Sequence, residues 1–461
     1  MTLETDYLIV GAGAMGMAFA DVLMTETDAT ILLVDRVGRP GGHWNVAYPF
    51  VRLHQPSAFY GVNSRPLGSG TKDATGWNAG LYELASGSEV VAYFDQVMHQ
   101  RFLPSGRVQY FPMCEYEGDG TFRSLLSGEK QDVAVREKTV DTTYMKVTVP
   151  AMRPPVYDVA DGVRCVPPNA LPTIDHPPAG YVIVGAGKTG IDAALWLLAN
   201  GVDPSAITWI RPRDSWLLDR ANIQPGREFF DRAVGGFAHR TEASALASSI
   251  DDLFQRLEAT GQLLRMDPDV TPTMYRCATV TTDELAQLRR VTDVVRLGRV
   301  RAITRDAIVL ADGTIPHQPD ALVVDCTADG LERRPVVPVF DGDTITAQTV
   351  RTCQQVFSAA FIAHVEAGYD DEAEKNDLCT VVPHPDDGID WLRTTLGDML
   401  NTVRWQADTD LQDWLLRARL DGFSSNRGDP DAEQLEALMQ ILEHAPAAVT
   451  NLERLLAVTD D

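Results

Sequence analysis

The sequence of 461 residues predicts an α/β fold with two Rossmann-like dinucleotide-binding domains and a helical C-terminal region. Three observations predict this architecture. A glycine-rich loop between an apolar strand and a helix occurs twice, at residues 11–16 and 185–190. Helical patterns dominate the chain after residue 371. The length also exceeds what one ordinary core occupies, which favours more than one domain.

The first glycine-rich loop has the complete dinucleotide fingerprint. An apolar strand at residues 6–10 precedes GAGAMG, and a second strand at residues 31–35 ends in Asp35. Gly11 allows the tight turn, Gly13 lets the backbone approach a pyrophosphate, and Gly16 lets helix and strand pack closely. The pyrophosphate would lie at the helix N-terminus, and Asp35 would bind the ribose. The candidate binding residues at this site are Gly11, Gly13, Ala14, Met15, Gly16, Asp35 and Arg36.

The second loop, GAGKTG, repeats the pattern after a proline-rich linker near residue 175. The strand that follows, at residues 207–210, ends in Arg-Pro-Arg instead of an acid. Guanidinium groups suit a 2′-phosphate, so Arg211 and Arg213 favour NADPH over NADH, with a solvated turn as the alternative. The candidate residues at this site are Gly185, Gly187, Lys188, Thr189, Gly190, Arg211 and Arg213.

Several motifs resemble those of class B flavin monooxygenases. GGHW at residues 41–44 resembles their Gly-Gly-x-Trp element, and RPRDSW at 211–216 resembles the segment after their second nucleotide strand. The resemblance implies FAD at the first site, with Gly42, His43 and Trp44 near the flavin; core packing is the alternative for Trp44. It also implies that DCTADG at 325–330 is the linker between the domains, with Thr327 and Ala328 near the cofactor.

The duplication predicts an FAD domain interrupted by an NAD(P) domain. We expect the first part of the FAD domain at residues 1–174 and the NAD(P) domain at 175–318, with a helical insertion near 214–270. The chain would return to the FAD domain at 319–370, and a helical region would follow at 371–461. A loop and helix near 345–367 would bring Gln354 or Gln355 to the flavin, unless these glutamines lie on the surface.

No catalytic triad or pair of carboxylates is apparent. His54 and Gln55, in the segment LHQP, are the candidate polar groups beside the flavin, and a structural role is the alternative for His54. The six cysteines show no Cys-x-x-Cys or zinc spacing. We therefore predict no metal, expect most cysteines to be buried apolar residues, and exclude a thioredoxin-type disulfide reductase.

Composition narrows the partners and the location. With 65 acidic and 40 basic residues, the net charge of −25 disfavours nucleic acid and anionic membranes. Neither a signal peptide nor a spanning apolar segment is evident, so we expect a cytoplasmic protein. The expected partners are a small-molecule substrate and molecular oxygen, and a homodimer is possible.

The resemblance implies a chemistry carried by the cofactors. NADPH would reduce FAD, and the reduced flavin would form a C4a-hydroperoxide that oxygenates an amine, sulfide or carbonyl compound. The family signature Phe-x-Gly-x-x-x-His is missing, because the region before the second strand reads VRCVPPNALPTIDHPPAG. Two alternatives therefore stay open: a flavin reductase or dehydrogenase that passes hydride to an organic acceptor, and a flavoprotein without enzymatic activity.

Overall fold

A computed structural model describes residues 2–328, 330–422 and 431–459. Residues 423–430 and 460–461 of the predicted helical region, and Asp329 of the DCTADG motif, lie outside the described residues. The helices are α1 (Ala14–Glu26), α2 (Gly87–Val97), α3 (Lys188–Ala199), α4 (Phe230–Leu246), α5 (Ile250–Ala259), α6 (Thr282–Leu288), α7 (Gln355–Gly368), α8 (Glu372–Leu378), α9 (Gly388–Gln406), α10 (Thr409–Arg417) and α11 (Ala432–Ala457).

The strands are short, as is usual for parallel sheets covered on both faces. In chain order they are β1 (Leu3–Val10), β2 (Ile31–Asp35), β3 (Val108–Pro112), β4 (Cys114–Gly118), β5 (Thr121–Ser124), β6 (Lys130–Asp141), β7 (Val147–Thr148), β8 (Asp158–Val159), β9 (Cys165–Val166), β10 (Tyr181–Val184), β11 (Ile207–Ile210), β12 (Ser215–Asp219), β13 (Met274–Val280), β14 (Asp293–Val295), β15 (Val300–Ile303), β16 (Ala307–Leu310), β17 (Gly313–Pro316), β18 (Leu322–Asp325), β19 (Gly330–Leu331), β20 (Phe340–Asp341) and β21 (Thr344–Thr346).

The first unit is built on a sheet in the order β20-β21-β6-β1-β2-β3. Strand β1 pairs in parallel with β2 on one side and with β6 on the other. All five residues of β2 are buried, so both faces of the sheet are covered, and α1 and α7 belong to the core that covers it. The nucleotide-binding loop therefore leaves the centre of the sheet, as in a Rossmann fold.

The second unit repeats this plan with a parallel sheet in the order β14-β11-β10-β18-β9. Strand β10 leads into the second glycine-rich loop and lies at the centre of the sheet. Two Rossmann-like units and helices after residue 371 confirm the predicted fold class.

The predicted boundaries between the units were wrong. The segment 319–330 was expected to return to the first sheet, but β18 pairs with β10 in the second sheet, with Val184 opposite Asp325. The chain rejoins the first sheet at β20 and β21, where β21 pairs with β6. Strand β9 also precedes residue 175 yet belongs to the second sheet. Short buried strands give no sequence signal of which parallel neighbour they choose, so the error lies in long-range pairing.

The helices of the insertion and of the C-terminal region pack against one another. Helices α4 and α5 form the predicted insertion of the second unit, and α11 packs along α4. Helices α9 and α10 follow the predicted helical segments of the C-terminal region. No helix in the described part of the chain is both long and apolar enough to cross a membrane.

Candidate functional site

A cavity of about 2830 Å³ lies between the two units and the C-terminal helices. Both glycine-rich loops reach it, through Gly13, Ala14 and Met15 on one side and through Gly187 and Lys188 on the other. Ordinary ligand pockets have volumes of roughly 300–1,000 Å³, so this cavity has room for more than one large ligand.

The first loop is shaped for a close backbone turn. Gly11 has a φ of 100°, and a Cβ on Gly16 would overlap the Gly11 carbonyl oxygen. Thr142, at the end of β6, closes the turn by donating its hydroxyl to the carbonyl of Val10 at 2.7 Å. Helix α1 then begins with Gly13 as its N-cap and without a side-chain cap, so its first N–H groups are available to an anion.

The GGHW motif lies directly against this loop. Gly41 donates its N–H to the carbonyl of Ala12 at 2.9 Å, and a Cβ on Gly42 would come within 3.1 Å of the Gly13 Cα. A Cβ on Gly13 would have only the Cα of Gly42 within 4 Å, at a distance of 3.7 Å. The two motifs therefore approach as backbone against backbone, which requires glycine at residue 42.

Asp35 holds the loop together from the end of β2. Its carboxylate accepts the N–H of Ala12 at 2.5 Å and the N–H of Val37 at 2.7 Å. Burial raises the pKa of Asp35, although both hydrogen bonds act in the opposite direction. Asp35 also lines the cavity, so the predicted ribose-binding acid is in the expected place. Its neighbour Arg36 lines the cavity and is largely exposed.

The second loop repeats the construction of the first. A Cβ on Gly190 would overlap the carbonyl oxygen of Gly185, and nothing lies within 4 Å of the position that a Cβ on Gly187 would take. Helix α3 also begins at a glycine N-cap without a side-chain cap. A dinucleotide pyrophosphate fits both loops for the same reason: the second glycine of each carries no side chain at the start of a helix whose first N–H groups have no side-chain cap.

A set of hydrogen bonds joins the segment after GGHW to the second glycine-rich loop. Lys188 forms an ion pair with Asp192 on α3, and the same carboxylate accepts the hydroxyl of Tyr48 at 2.7 Å. Tyr48 follows the GGHW motif in the first unit, and Thr189 lies within hydrogen-bonding reach of it. The segment after GGHW is thus connected through side chains to the second glycine-rich loop and its helix.

The predicted aromatic and polar residues near the first loop come together. His43, Trp44, His54 and Gln55 line the cavity. The Trp44 indole donates to the Tyr60 hydroxyl at 2.8 Å and packs against the core, as the packing alternative predicted, while it also lines the cavity. Burial lowers the pKa of His43 to about 4 and that of His54 well below its usual range. Both imidazoles are therefore neutral near pH 7.

Arg211 and Arg213 are not among the residues that line the cavity. Arg211 is 4 % exposed, stacks over Trp209 with 5.0 Å to the ring centroid, and lies 3.4 Å from Asp214. Arg213 is held by Asp386. Neither predicted arginine is open to a phosphate in this structure, because Arg211 is buried beside Asp214, three residues away, and Arg213 is held by Asp386, which is distant in sequence.

Thr327 and Ala328 lie beside the second loop and not in a return to the first. Residue 326 precedes them and contacts Gly185, and the Thr327 N–H and hydroxyl both bind Asp325. Ala328 lines the cavity, whereas Thr327 is turned to β18. Gln354, in contrast, is well placed: it lines the cavity as the N-cap of α7, and its amide oxygen is buried without a partner.

The cavity contains polar groups that the sequence did not predict. Arg240 of α4 has a buried Nε without a hydrogen-bond partner, and burial lowers the pKa of its guanidinium. Asp398 of α9 accepts the N–H of Thr352 at 2.8 Å, and burial raises its pKa to about 6. Both line the cavity. No local motif marks them, because each lies in an ordinary amphipathic helix.

Two of the six cysteines are joined, which their spacing in the sequence did not reveal. Cys277 of β13 and Cys353 beside α7 form a disulfide, although 76 residues separate them in sequence. Both line the cavity, and His384 lies next to them. The other cysteines, Cys114, Cys165, Cys326 and Cys379, are free thiols that are buried or partly buried.

Two Rossmann-like units whose glycine-rich loops open into one cavity define a two-dinucleotide-fold protein. No family model matches the chain. Over 419 residues, which are 91% of this chain and 78% of each relative, it is 58% identical to uncharacterized proteins of Mycobacterium tuberculosis (Rv2000) and Mycobacterium bovis (Mb2023). The chain belongs to the family of these mycobacterial proteins.

The solved structures similar to this chain include flavin monooxygenases, the proteins whose motifs its sequence resembles. A mutant flavin monooxygenase from Stenotrophomonas maltophilia is 14% identical, with 80% of this chain and 100% of that chain covered and a TM-score of 0.48. A closed cyclohexanone monooxygenase is 15% identical over 95% of this chain and 98% of its own, with a TM-score of 0.49. A steroid monooxygenase bound to NADP is 13% identical, with 79% of this chain and 85% of that chain covered and a TM-score of 0.49.

Proposed function

We propose that this protein is an FAD- and NADPH-dependent oxidoreductase, and specifically a flavin monooxygenase that oxygenates a small-molecule nucleophile such as an amine, sulfide or carbonyl compound. One observation carries the proposal: two glycine-rich loops of the same construction open into one cavity of about 2830 Å³. A protein that binds one dinucleotide needs one such loop. Two loops facing one space support transfer between two bound dinucleotides.

The residues of the first unit suit FAD. The N–H groups at the start of α1 would bind the pyrophosphate, and Asp35 would bind the ribose from the end of β2. The amide oxygen of Gln354 is buried without a partner, so it would accept a hydrogen bond from the edge of a bound flavin ring. When bound, FAD supplies acceptance of hydride from NADPH and, once reduced, activation of molecular oxygen.

The second unit would hold NADPH against the same space. Gly187 leaves room for a pyrophosphate at the N-terminus of α3, and Lys188 beside it supplies positive charge. Arg211 follows β11 where NAD-specific folds have an acid, and it would have to turn out of its buried position to reach a 2′-phosphate. Arg213 would have to exchange Asp386 for that phosphate.

The wall of the cavity supports an apolar substrate. Helix α4 contributes Phe230 and Phe237, and α11 contributes Leu438, Ile441 and Val449. These side chains would exclude water from the reacting atoms, which a monooxygenase needs in order to protect its activated oxygen. His43 and His54 fit this environment, because burial keeps both imidazoles neutral by lowering their pKa values.

A reductase or dehydrogenase is the second candidate, and a specific observation favours it. The Phe-x-Gly-x-x-x-His signature is absent, and the residues in its place form β9 and the turn at Pro168–Thr173. Oxygen transfer therefore has weaker support than hydride transfer from NADPH to FAD. In this alternative the same cavity would hold an organic hydride acceptor.

The test is a double-mixing stopped-flow measurement on the purified FAD-loaded protein. The protein is reduced with NADPH under anaerobic conditions and then mixed with oxygenated buffer in the absence of substrate. A monooxygenase is expected to show a lasting near-ultraviolet absorbance before the oxidised flavin spectrum returns. Direct return of that spectrum would favour the reductase, and flavin that NADPH does not bleach would contradict both candidates.

A further inference from the structure

The disulfide between Cys277 and Cys353 joins the two nucleotide-binding units across the cavity. Cys277 lies in β13, which pairs with β12 in the second unit. Cys353 lies immediately before the N-cap of α7, whose apolar residues belong to the core of the first unit. The two Cα atoms are 6.6 Å apart, within the range that a disulfide allows. The cross-link is therefore a bond between units and not within one.

Both cysteines have backbone conformations that non-glycine residues rarely adopt. Cys277 has a φ of 55° and Cys353 a φ of 58°, both in the left-handed region. The register between β12 and β13 shifts at this point, between Trp216 and Leu218, so Cys277 lies in a bulge of the strand. Left-handed non-glycine residues and bulges concentrate at functional sites, where they direct a side chain towards a ligand.

The surroundings of the disulfide suit thiol chemistry. Cys353 lies at the N-terminal end of α7, a helix of 14 residues, where the helix dipole stabilises a thiolate. Ligand atoms of Cys277, Cys353 and His384 lie within 4.8 Å of one another. Burial lowers the pKa of His384 to about 4, so its imidazole is neutral near pH 7.

The free cysteines differ from this pair. Burial raises the pKa values of the thiols of Cys114, Cys165, Cys326 and Cys379, which makes each of them a poor nucleophile. The disulfide thus lies in the cavity beside a neutral imidazole and a helix N-terminus, whereas the remaining described thiols, including Cys114 and Cys326 of the same cavity wall, are held protonated by burial.

We propose that Cys277 and Cys353 are a redox-active pair that exchanges two electrons with a reduced flavin bound in the same cavity. The sulfur–sulfur bond breaks, each sulfur gains one electron and one proton to become a thiol, and the dihydroflavin that supplies them returns to oxidised flavin. Reduction also removes the covalent link between the two units. This inference rests on the proposed binding of FAD, but not on oxygen transfer.

The experiment is an anaerobic NADPH titration of the FAD-loaded protein, followed by alkylation under native conditions and mass measurement. Complete bleaching of the flavin is expected to require a second two-electron equivalent beyond the one that flavin consumes, and two additional thiols are expected to become alkylated. Cys353→Ser should need only the flavin equivalent. Cys165→Ser, a half-buried cysteine outside the disulfide, should behave like the unaltered protein.

The outcomes separate this inference from the proposed function. Bleaching by a single equivalent with no new thiols would overturn the inference and leave the proposed function standing. If NADPH fails to bleach the flavin, the proposed function fails. The flavin is then titrated with dithionite, and the number of two-electron equivalents and of alkylated thiols shows whether the disulfide is reduced with it. Stoichiometric zinc on unlinked Cys277, Cys353 and His384 would also overturn it.

Discussion

Arg213 donates two hydrogen bonds to Asp386, one to each carboxylate oxygen and both at 3.1 Å. Arg276 and Arg333 bind the same carboxylate. Burial alone would raise the pKa of Asp386, but the hydrogen bonds from Arg213 and Arg276 lower it to about 2. Asp386 therefore holds Arg213, and under the proposed function a 2′-phosphate would have to compete with this carboxylate for the arginine.

Arg213→Ala is expected to lower the preference for NADPH over NADH by roughly tenfold or more, since one charged phosphate contact is worth about 1.5–3 kcal/mol. Asp386→Asn should act in the opposite direction, because it releases Arg213. The measurement is the ratio of kcat/KM values for flavin reduction by the two nucleotides. Arg333→Ala is the matched control, as Arg333 binds Asp386 but does not follow β11. Equal effects of the two arginine variants would show that Arg213 only anchors Asp386.

The sequence predicted the parts of the site that depend on local geometry. Each glycine-rich loop encodes its own turn, since Gly16 and Gly190 must pack against a carbonyl five residues earlier. The position of Asp35 is likewise set by local sequence, because it is the last residue of β2. Such features need only neighbouring residues, so one sequence is sufficient to find them.

Contacts between distant segments could not be predicted in the same way. Cys277 and Cys353 are 76 residues apart, and Arg213 and Asp386 are further apart still. The choice of partner for β18 is also a long-range event, which explains the wrong domain boundary. Neither hydrophobic periodicity nor spacing carries information about which distant residue will lie opposite.

Gly13→Val is expected to abolish FAD retention while leaving the fold intact. The Cβ position of Gly13 lies 3.7 Å from Gly42, which is ordinary contact, but the added methyl groups would occupy the space of the pyrophosphate. The measurement is the ratio of flavin to protein absorbance after purification, with far-ultraviolet circular dichroism to check folding.

Gly187→Val is the counterpart in the second loop. Its Cβ would meet nothing within 4 Å, so the fold should tolerate it as well. This variant should retain FAD but lose reduction by NADPH, while chemical reduction of the flavin continues. If it lost FAD instead, the assignment of the two loops would be reversed.

Asp398 predicts a pH dependence of stability. Burial raises its pKa from 3.8 to about 6, so the folded state binds the proton more tightly than the unfolded chain does. The resulting stabilisation is complete below about pH 4 and is lost as the pH rises to about 6. The shift corresponds to at most about 3 kcal/mol. Relative to Asp398→Asn, which cannot titrate, the Tm of the unaltered protein should therefore fall between pH 4 and pH 6.5; parallel curves would contradict this.

Arg240 lines the cavity, and its incompletely hydrogen-bonded guanidinium is expected to lower the stability of the fold. Its Nε is buried without a hydrogen-bond partner, and its guanidinium lies over the Phe237 ring at 5.5 Å from the centroid. Replacing a poorly satisfied buried charge with an apolar side chain of similar length is often stabilising. Arg240→Met is therefore expected to raise the free energy of unfolding by about 1 kcal/mol and the Tm by roughly 2 °C.

The same substitution tests the coupling between Arg240 and Asp398. The positive charge of Arg240 is one of the interactions that lower the pKa of Asp398 against the larger effect of burial. In Arg240→Met the loss of stability with rising pH should therefore move to higher pH. Arg240→Lys keeps the charge, so it should neither raise the Tm nor move the pH transition. A Tm that falls in Arg240→Met at every pH would mean that Arg240 supports the fold and would contradict the expected gain in stability.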